Sequence, residues 1–347
     1  MLSYESPPEP RQGSAFATVD FEREGKQTGF IHIPHSPHSD AWGATRIPIA
    51  VLKNGGGPTA LLTGGNHGDE HEGPITLGEL FRELDPHHIT GRLILIPALN
   101  LPAVRAAHRT SPVDGLNLNR TYPGDPQGTI SQQISAFVCD HLYPISDAFI
   151  DLHSGGSSLD ILPSAIVEPT TNLDHQRRNI EAVLAFGAPM TVVISNLGEQ
   201  RSSTAAAVKA GLTTVGTEMA GTGTVSMDAL RICRIGVRNV LKHLKILEPD
   251  ERPDGASGAR KVLEIPGPQG YVFAPEGGVF EPFAPLGTEV RAGEPAGQIH
   301  FVDNPERPPL QLRYGQDGIL YAKRHPGRVE PGNCCLVIAT PFEGMLS

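Results

Sequence analysis

Several features that mark whole classes of protein are missing from this chain of 347 residues. It has only four cysteines and no C-x-x-C pair, so neither a disulfide framework nor a cysteine-bound zinc site is expected. It has no run of 18 apolar residues and no apolar signal core near its start, which argues against a membrane protein or a secretory leader. It also has no long basic run, and its formal net charge of -10 argues against a nucleic-acid partner. We therefore expect a soluble cytoplasmic protein.

Short apolar runs alternate with helical patterns through most of the chain, which favours an α/β fold. The expected sheet is mostly parallel or mixed, with helices on both faces. The patterns predict strands over 29–34, 46–53, 59–62, 92–97, 148–153, 161–167, 190–195 and 213–217. They predict helices over 74–84, 129–143, 172–186, 202–210 and 225–247.

Composition divides the chain into four parts. Residues 1–18 are polar and Pro-rich, and we expect them to be flexible. A main domain follows over 19–247, and a charged Pro/Gly linker covers 248–259. Over 260–347 the pattern changes to short strands separated by Gly and Pro, which predicts a small all-β domain.

The strand predicted at Thr59–Leu62 ends in two glycines, and His67 and Glu70 follow. Polar residues just after such a strand lie at the carboxyl edge of a sheet, where open α/β folds keep their sites. A second predicted strand ends in His153 and again in glycines. Two histidines and a glutamate suit Zn²⁺ and would leave its fourth position open for water. A His-x-x-Glu pair also arises by chance, so the pair alone would not carry this interpretation.

Neighbouring polar residues leave the ligand set open. Asp69, His71 and Glu72 could be ligands instead, could orient the ligands, or could lie at the surface or at a helix cap. Asp151 is two residues before His153, so both side chains point to the same side of a strand. Asp151 could therefore be a ligand itself or could orient His153.

Two further places could supply catalytic groups. Glu218 ends an apolar strand and could take a proton from a zinc-bound water and return it to a leaving amine, although a surface or helix-terminal role is also open. A long loop over about 100–128 carries Arg109 and Arg120, and loops of this length are usually functional. The planar fork of an arginine suits a carboxylate, and Arg109 could polarise a carbonyl group or could simply be solvated.

Four stretches together resemble the succinylglutamate desuccinylase/aspartoacylase family of zinc amidohydrolases, over about residues 20–345. They are G-G-N-H-G-D-E, N-L-N-R-T-Y-P-G, D-L-H-S-G-G and T-E-M-A-G. The resemblance implies a zinc-carboxypeptidase-like fold and one Zn²⁺ per subunit. It implies the following roles: zinc ligands His67, Glu70 and His153, general base Glu218, carboxylate-binding residues Asn119 and Arg120, and carbonyl-polarising Arg109. Family patterns often have Asp where this chain has Asn117.

Within the family, the stretches S-D-A-W-G, L-L-T-G-G-N-H-G-D-E-H-E-G-P and R-T-S-P-V-D are similar to the branch that deacetylates N-acetyl-L-2,4-diaminobutyrate in ectoine breakdown. The resemblance therefore implies a zinc-dependent amidohydrolase that removes an acyl group, in our interpretation acetyl, from an N-acyl amino acid. A small molecule would be its partner, and a homo-oligomer is compatible with it. Another N-acyl amino acid, as in a desuccinylase or aspartoacylase, is the first alternative.

Two other interpretations come from different classes. The first is a metallocarboxypeptidase, which would act on peptides. A small β domain packed over the pocket would argue against it, because it would exclude long chains. The stretch G-T-E-V-R-A-G-E-P-A-G is similar to biotinyl and lipoyl carrier modules, but no lysine lies between Lys261 and Lys323 to carry such a group. A non-catalytic metal-binding scaffold would leave the arginines and Glu218 without a role.

Overall fold

A computed structural model of the protein describes residues 13–194, 198–249 and 261–342. Its strands, labelled β1 to β19 in chain order, are Phe16–Ala17, Gly25–Pro34, Ala44–Asn54, Thr59–Gly64, Gly91–Ile96, Ala148–Leu152, Leu159–Ile161, Ser164–Val167, Met190–Val193, Thr213–Glu218, Lys261–Glu264, Tyr271–Phe273, Gly278–Pro282, Glu289–Val290, Pro295–His300, Leu310–Arg313, Gly318–Arg324, Arg328–Val329 and Cys334–Pro341. Its α-helices, α1 to α6, are Glu72–Glu83, Leu101–Ala106, Ile130–Phe137, Leu173–Phe186, Ser203–Lys209 and Met227–His243.

The centre of the molecule is a mixed sheet in which β5, β4, β6 and β10 lie side by side and run parallel. Every residue of β4, β5 and β6 is buried, as expected for strands covered on both faces. Because these strands are parallel, the carboxyl ends of β4, β6 and β10 meet at one edge. The residues that follow them, His67 and His153, and Glu218 at the end of β10, are therefore brought together.

Helices cover both faces of this sheet. Apolar residues of α1, α4 and α6 pack with β4, β5 and β6 in one cluster. Residues of α3 and α5 pack with β2 and β3 in a cluster on the opposite face. In α6 one face is buried, with Cys233, Val237 and Leu241, spaced four residues apart, fully inside. The predicted α/β class, with a mixed sheet between helices and a strand-rich C-terminal region, is confirmed.

The C-terminal strands do not form a separate sheet throughout. β11 pairs in parallel with β9 of the preceding region and antiparallel with β19, and β17 pairs with β7. The main sheet therefore has 15 strands, and a second sheet of four has the order β16-β15-β13-β18. The division into two domains stays a prediction, and residues 250–259 of the predicted linker, with the first residue of the predicted β domain, lie outside the described residues.

At the N-terminus, residues 1–12 of the segment predicted to be flexible lie outside the described residues. In the rest of that segment Phe16 and Ala17 pair with His32 and Ile31 of β2, and its flexibility stays a prediction. Among the described helices, none is long and apolar enough to cross a membrane.

Three predictions of local structure were wrong in detail. The loop expected over 100–128 contains α2, which has Pro102 in its first turn, and a 3₁₀ turn at Leu118–Arg120. The helix expected over 129–143 is α only as far as Phe137 and then continues as a wider π turn. The strand expected over 161–167 is split into β7 and β8, because Pro163 between them cannot donate a ladder hydrogen bond.

Candidate metal centre

The turn after β4 holds His67 and Glu70 by close contact with the segment after β5. The Gly68 backbone N–H donates to the carbonyl oxygen of His108 at 2.9 Å. A Cβ on Gly68 would lie 2.0 Å from the backbone of Ala103, so only glycine fits there. The same contact brings Arg109, the next residue after His108, beside His67.

Glu70 lies between the two histidines. Its Oε1 is 2.7 Å from Nδ1 of His67, and its Oε2 is 2.8 Å from Nδ1 of His153. One ligand atom from each of the three residues lies within 4.8 Å of the other two. All three side chains are nearly buried, so few water molecules can compete for their lone pairs. The structure thus brings together the three residues predicted to bind zinc.

The outer nitrogens of both imidazoles meet oxygen acceptors. Nε2 of His67 lies 3.0 Å from Oδ1 of Asn117, and Nε2 of His153 lies 2.9 Å from Oδ2 of Asp151. An acceptor at Nε2 places the proton there and leaves the Nδ1 lone pair free for a metal ion. The amide oxygen of Asn117 therefore supplies the acceptor at the position where family patterns often have Asp. Two neutral nitrogens and a carboxylate fit a divalent cation such as Zn²⁺.

Asp151 is fixed by donors from three elements and is fully buried. Its Oδ1 accepts a hydrogen bond from Thr63 at 2.7 Å, and its Oδ2 accepts from Asn66 at 3.2 Å and from Ser203. The expectation that Asp151 orients His153 agrees with these contacts.

The other acidic neighbours have different partners. Asp69 accepts two hydrogen bonds of 2.7 Å from the backbone N–H and hydroxyl of Ser157. Glu72 accepts from the backbone N–H of Ser226 at 2.9 Å, and His71 occupies the N-cap position of α1. Among the described residues, the cluster that could hold a metal ion contains none of Asp69, His71 and Glu72.

Burial and charge act against each other in the cluster. Burial favours a neutral Glu70, but the charges of His67 and His153 outweigh it and hold the pKa of Glu70 well below its usual range. Burial also opposes a charge on His153, yet Asp151 and Glu70 raise the pKa of His153 well above its ordinary value. Burial lowers the pKa of His67.

Glu218 is held beside His153 by contacts of its two neighbours in sequence. Thr217 Oγ1 accepts from the His153 N–H at 3.0 Å, and the Met219 N–H donates to the His153 carbonyl at 3.0 Å. Burial, and then the charge of Glu70, raise the pKa of Glu218 to about 8. Its Oε2 is buried and has no hydrogen-bond partner among the described residues. A buried carboxyl group with an open oxygen is suited to exchange a proton with a bound reactant.

Both arginines predicted to act lie in this region. Arg109 Nη1 is 3.4 Å from Nδ1 of His67 and 3.7 Å from Oε1 of Glu70, while its side chain is partly exposed. Burial, and then the nearby charge of Arg109, lower the pKa of Arg120. Arg120 also lies 3.5 Å from Oε2 of Glu199. Two cations therefore line one side of the candidate site.

Asn119 was expected to bind the substrate carboxylate, but its side chain also binds another part of the protein. Its Oδ1 accepts from the backbone N–H of Ser203 at 2.8 Å and lies 3.0 Å from the Ser203 Oγ, whose proton goes to Asp151. It therefore caps the start of α5 and holds the serine that also donates to Asp151. Its role in binding substrate stays a prediction.

Two residues near the site were missed in the sequence. Ser203 lay inside a predicted helix, and nothing in the pattern linked it to Asp151. Glu168 directly follows β8 and is 6% exposed. A carboxylate at a strand end was the signal used for Glu218, and the same signal could have drawn attention to Glu168.

These features define an α/β protein with a site that can bind a metal ion at the carboxyl ends of its central strands. Residues 56–244 match the succinylglutamate desuccinylase/aspartoacylase catalytic domain. The chain is 39% identical over 340 residues to N-alpha-acetyl-L-2,4-diaminobutyric acid deacetylase of Halomonas elongata, with 98% of each chain covered. The protein therefore belongs to the succinylglutamate desuccinylase/aspartoacylase family, whose members are hydrolases of N-acyl amino acids.

Solved structures agree with this membership. A succinylglutamate desuccinylase/aspartoacylase from Rhodobacter sphaeroides is 40% identical, with a TM-score of 0.89 and with 94% of this chain and 99% of that chain covered. The product-bound ectoine utilization protein EutE from Ruegeria pomeroyi is 37% identical, with a TM-score of 0.91 and with 95% of this chain and all of that chain covered. The predicted family is confirmed.

Proposed function

We propose that the protein is a zinc-dependent deacetylase whose substrate is N-alpha-acetyl-L-2,4-diaminobutyrate. The observation that carries this proposal is the 39% identity to the Halomonas elongata deacetylase over 98% of both chains. The buried set of His67, Glu70 and His153, with acceptors at both outer imidazole nitrogens, supports the presence of a metal ion. Zn²⁺ suits a set of two nitrogens and one carboxylate.

The reaction adds one water across the amide bond. Zn²⁺, when bound, supplies Lewis acidity and lowers the pKa of coordinated water. Glu218 takes a proton from the attacking water as the new C–O bond forms at the acetyl carbonyl carbon. The C–N bond then breaks, and Glu218 returns the proton to the departing amine nitrogen, which gives acetate and the free amino acid.

The two arginines have separate roles in the proposed reaction. The guanidinium of Arg109 stabilises the negative charge that develops on the carbonyl oxygen, since it already lies within 3.7 Å of Glu70 at the centre of the site. Arg120 binds the carboxylate of the amino acid and sets the distance between that anchor and the scissile bond. Asn119 supports Arg120 because its backbone carbonyl oxygen accepts a hydrogen bond from Nη1 of Arg120 at 2.7 Å, and it contributes to substrate binding.

A panel of N-acyl amino acids tests the function directly. Release of acetate, succinate and aspartate would be measured with the purified protein, before and after treatment with a zinc chelator and after zinc is restored. We expect chelator-sensitive release of acetate from N-alpha-acetyl-L-2,4-diaminobutyrate. Activity on another acyl group alone would contradict the proposed substrate, and cleavage of peptides alone would favour a carboxypeptidase.

The role of Glu218 is tested by Glu218→Gln, which keeps the size of the side chain but removes the base. Turnover should fall by roughly a hundredfold or more. The zinc content, measured by atomic absorption, should stay near one per chain, because Glu218 is outside the ligand set. Near-normal turnover in the variant would remove Glu218 from this role.

A further inference from the structure

Glu168 is a nearly buried carboxylate that the proposed reaction does not use. It follows β8 and is 6% exposed. Its Oε2 accepts one hydrogen bond, from the hydroxyl of Thr204 at 3.1 Å. Within the described ranges, no Lys, Arg or His lies at ion-pair distance from it. Burial raises the pKa of Glu168 to about 7, which shows how poorly its surroundings compensate the negative charge.

The neighbouring acid, Glu199, is a useful contrast. Its Oε1 accepts from Nε of Arg201 at 2.9 Å, and its Oε2 accepts from Nη2 of Arg201 at 2.7 Å. The charge of Glu199 is therefore already paired within the protein. Glu168 differs because, among the described residues, it has one neutral donor and no cation at ion-pair distance. A buried carboxylate in this state gains most from a cation that arrives with a ligand.

Contacts of α5 connect Glu168 to the metal centre. Thr204, which binds Glu168, is next in sequence to Ser203, which donates to Asp151 and Asn119. Asp151 in turn holds His153. The first turn of α5 therefore touches both Glu168 and the residues that support the metal ligands.

Arg120 provides a second connection. It is close enough to both Arg109 and Glu168 for their charges to shift its pKa. Arg109 lies against the metal-binding cluster, so Arg120 is within reach of a charge at the cluster and of the charge of Glu168. A substrate that places its acyl group at the cluster and its carboxylate on Arg120 would extend its side chain past the carboxylate anchor, where a negative protein group is available.

We propose that Glu168 binds the free side-chain ammonium group of the substrate and so selects N-acyl amino acids that carry a cationic side chain. This inference rests on the proposed function, because it assumes that Arg120 holds the amino-acid carboxylate. In N-alpha-acetyl-L-2,4-diaminobutyrate the ammonium group is two carbons from the α-carbon, and it pairs with Glu168 once water is displaced. A side chain ending in a carboxylate, as in acyl derivatives of aspartate or glutamate, is repelled by the same group.

The test compares two substrates of nearly equal shape, N-acetyl-L-2,4-diaminobutyrate and N-acetyl-L-norvaline, in which a methyl group replaces the ammonium. In the unaltered enzyme we expect kcat/KM to favour the charged substrate strongly. Glu168→Gln should lower kcat/KM for the diaminobutyrate compound by roughly thirtyfold or more, mainly through KM, because it removes one partner of a desolvated charge pair. The value for the norvaline compound should hardly change.

Glu199→Gln is the matched control, since it removes an acidic charge beside Arg120 that is already paired. It should leave the ratio of the two kcat/KM values as in the unaltered enzyme, even if both values fall together. Glu168→Asp, which keeps the charge, should retain part of the preference for the charged substrate. Zinc content and thermal unfolding of each variant would be recorded alongside.

The outcomes separate the inference from the function on which it rests. Equal losses on both substrates in Glu168→Gln, or no loss on either, would overturn the role of Glu168 while deacetylation stands. If Glu168→Gln does not fold, the unaltered enzyme still tests the inference, because equal kcat/KM values for the two compounds would also overturn the role of Glu168. If the unaltered enzyme hydrolyses neither compound but acts on another N-acyl amino acid, the proposed substrate fails instead.

Discussion

Asp151 has four donors around its two carboxylate oxygens, supplied by His153, Thr63, Asn66 and Ser203. Asp151→Asn would put an amide N–H group against at least one of these donors and weaken the hold on His153. We expect the dissociation constant for Zn²⁺ to rise roughly 10- to 100-fold, the usual effect of losing such a support. Competition with a chromophoric chelator measures it.

Asp69→Asn is the control for that experiment, because Asp69 is also buried but binds Ser157 and not a ligand. Its affinity for Zn²⁺ should stay close to that of the unaltered protein. An equal loss of affinity in both variants would mean that Asp151 acts through general stability of the site and not through His153.

The raised pKa of Glu168 leads to a prediction about how the stability of the protein depends on pH. Its pKa is about 7 in the folded protein against an ordinary value of 4.5, so the folded state favours the protonated form. Without substrate, Glu168 ionises at lower pH in the unfolded chain than in the folded protein. The free energy of unfolding should therefore fall as pH rises from about 4.5 to about 7. Glu168→Gln does not titrate, so it should become the more stable protein by up to about 3 kcal/mol at pH 8 and lose this advantage near pH 4. Urea unfolding at both pH values checks it, and a stability difference that does not change with pH would contradict it.

At the scale of elements, α2 and the turn after β4 support each other through Gly68. Because a Cβ there would lie 2.0 Å from the Ala103 backbone, Gly68→Ala must push α2 away from the turn that carries His67. We expect a loss of roughly 1–3 kcal/mol in the free energy of unfolding, together with weaker metal binding. Denaturant titration and metal analysis measure the two effects.

Gly78→Ala is the matched substitution in α1. The new Cβ would meet only the flexible end of Arg82 at 3.3 Å, and alanine favours a helix interior. This variant should be as stable as the unaltered protein or more stable by up to about 1 kcal/mol. A similar loss in both glycine variants would show that the contact with Ala103 is not the cause.

Part of the fold and of the candidate site could be predicted from the sequence. The strand ends with His67, His153 and Glu218 were predictable because buried parallel strands produce continuous apolar runs, and glycines mark where they stop. The helix within 100–128 could not be predicted, because α2 is only six residues long and too short for a helical period to be recognised. Glu168 was missed for a related reason, since its importance depends on α5, which contacts it only in the folded chain.

At the scale of the whole molecule, the C-terminal region is joined to the site by more than one contact. β17 pairs with β7, and the Tyr321 hydroxyl lies 2.6 Å from that of Ser164 in the buried interior. Ser164 pairs in register with Glu218. A strand of the C-terminal region therefore supports the edge of the sheet that presents the proposed base.

This continuity predicts how the protein unfolds. Since β11 pairs with both β9 and β19, the region before the predicted linker and the region after it share one hydrogen-bonded sheet. Loss of either region leaves unpaired strand edges on the other, so we expect one cooperative transition in scanning calorimetry, with a calorimetric enthalpy equal to the van't Hoff enthalpy. Tyr321→Phe, which removes the hydroxyl bonded to Ser164, should shift that whole transition to lower temperature and leave it single. Two transitions, with only the one from the C-terminal region shifted by Tyr321→Phe, would instead support the two separate domains that the composition predicted.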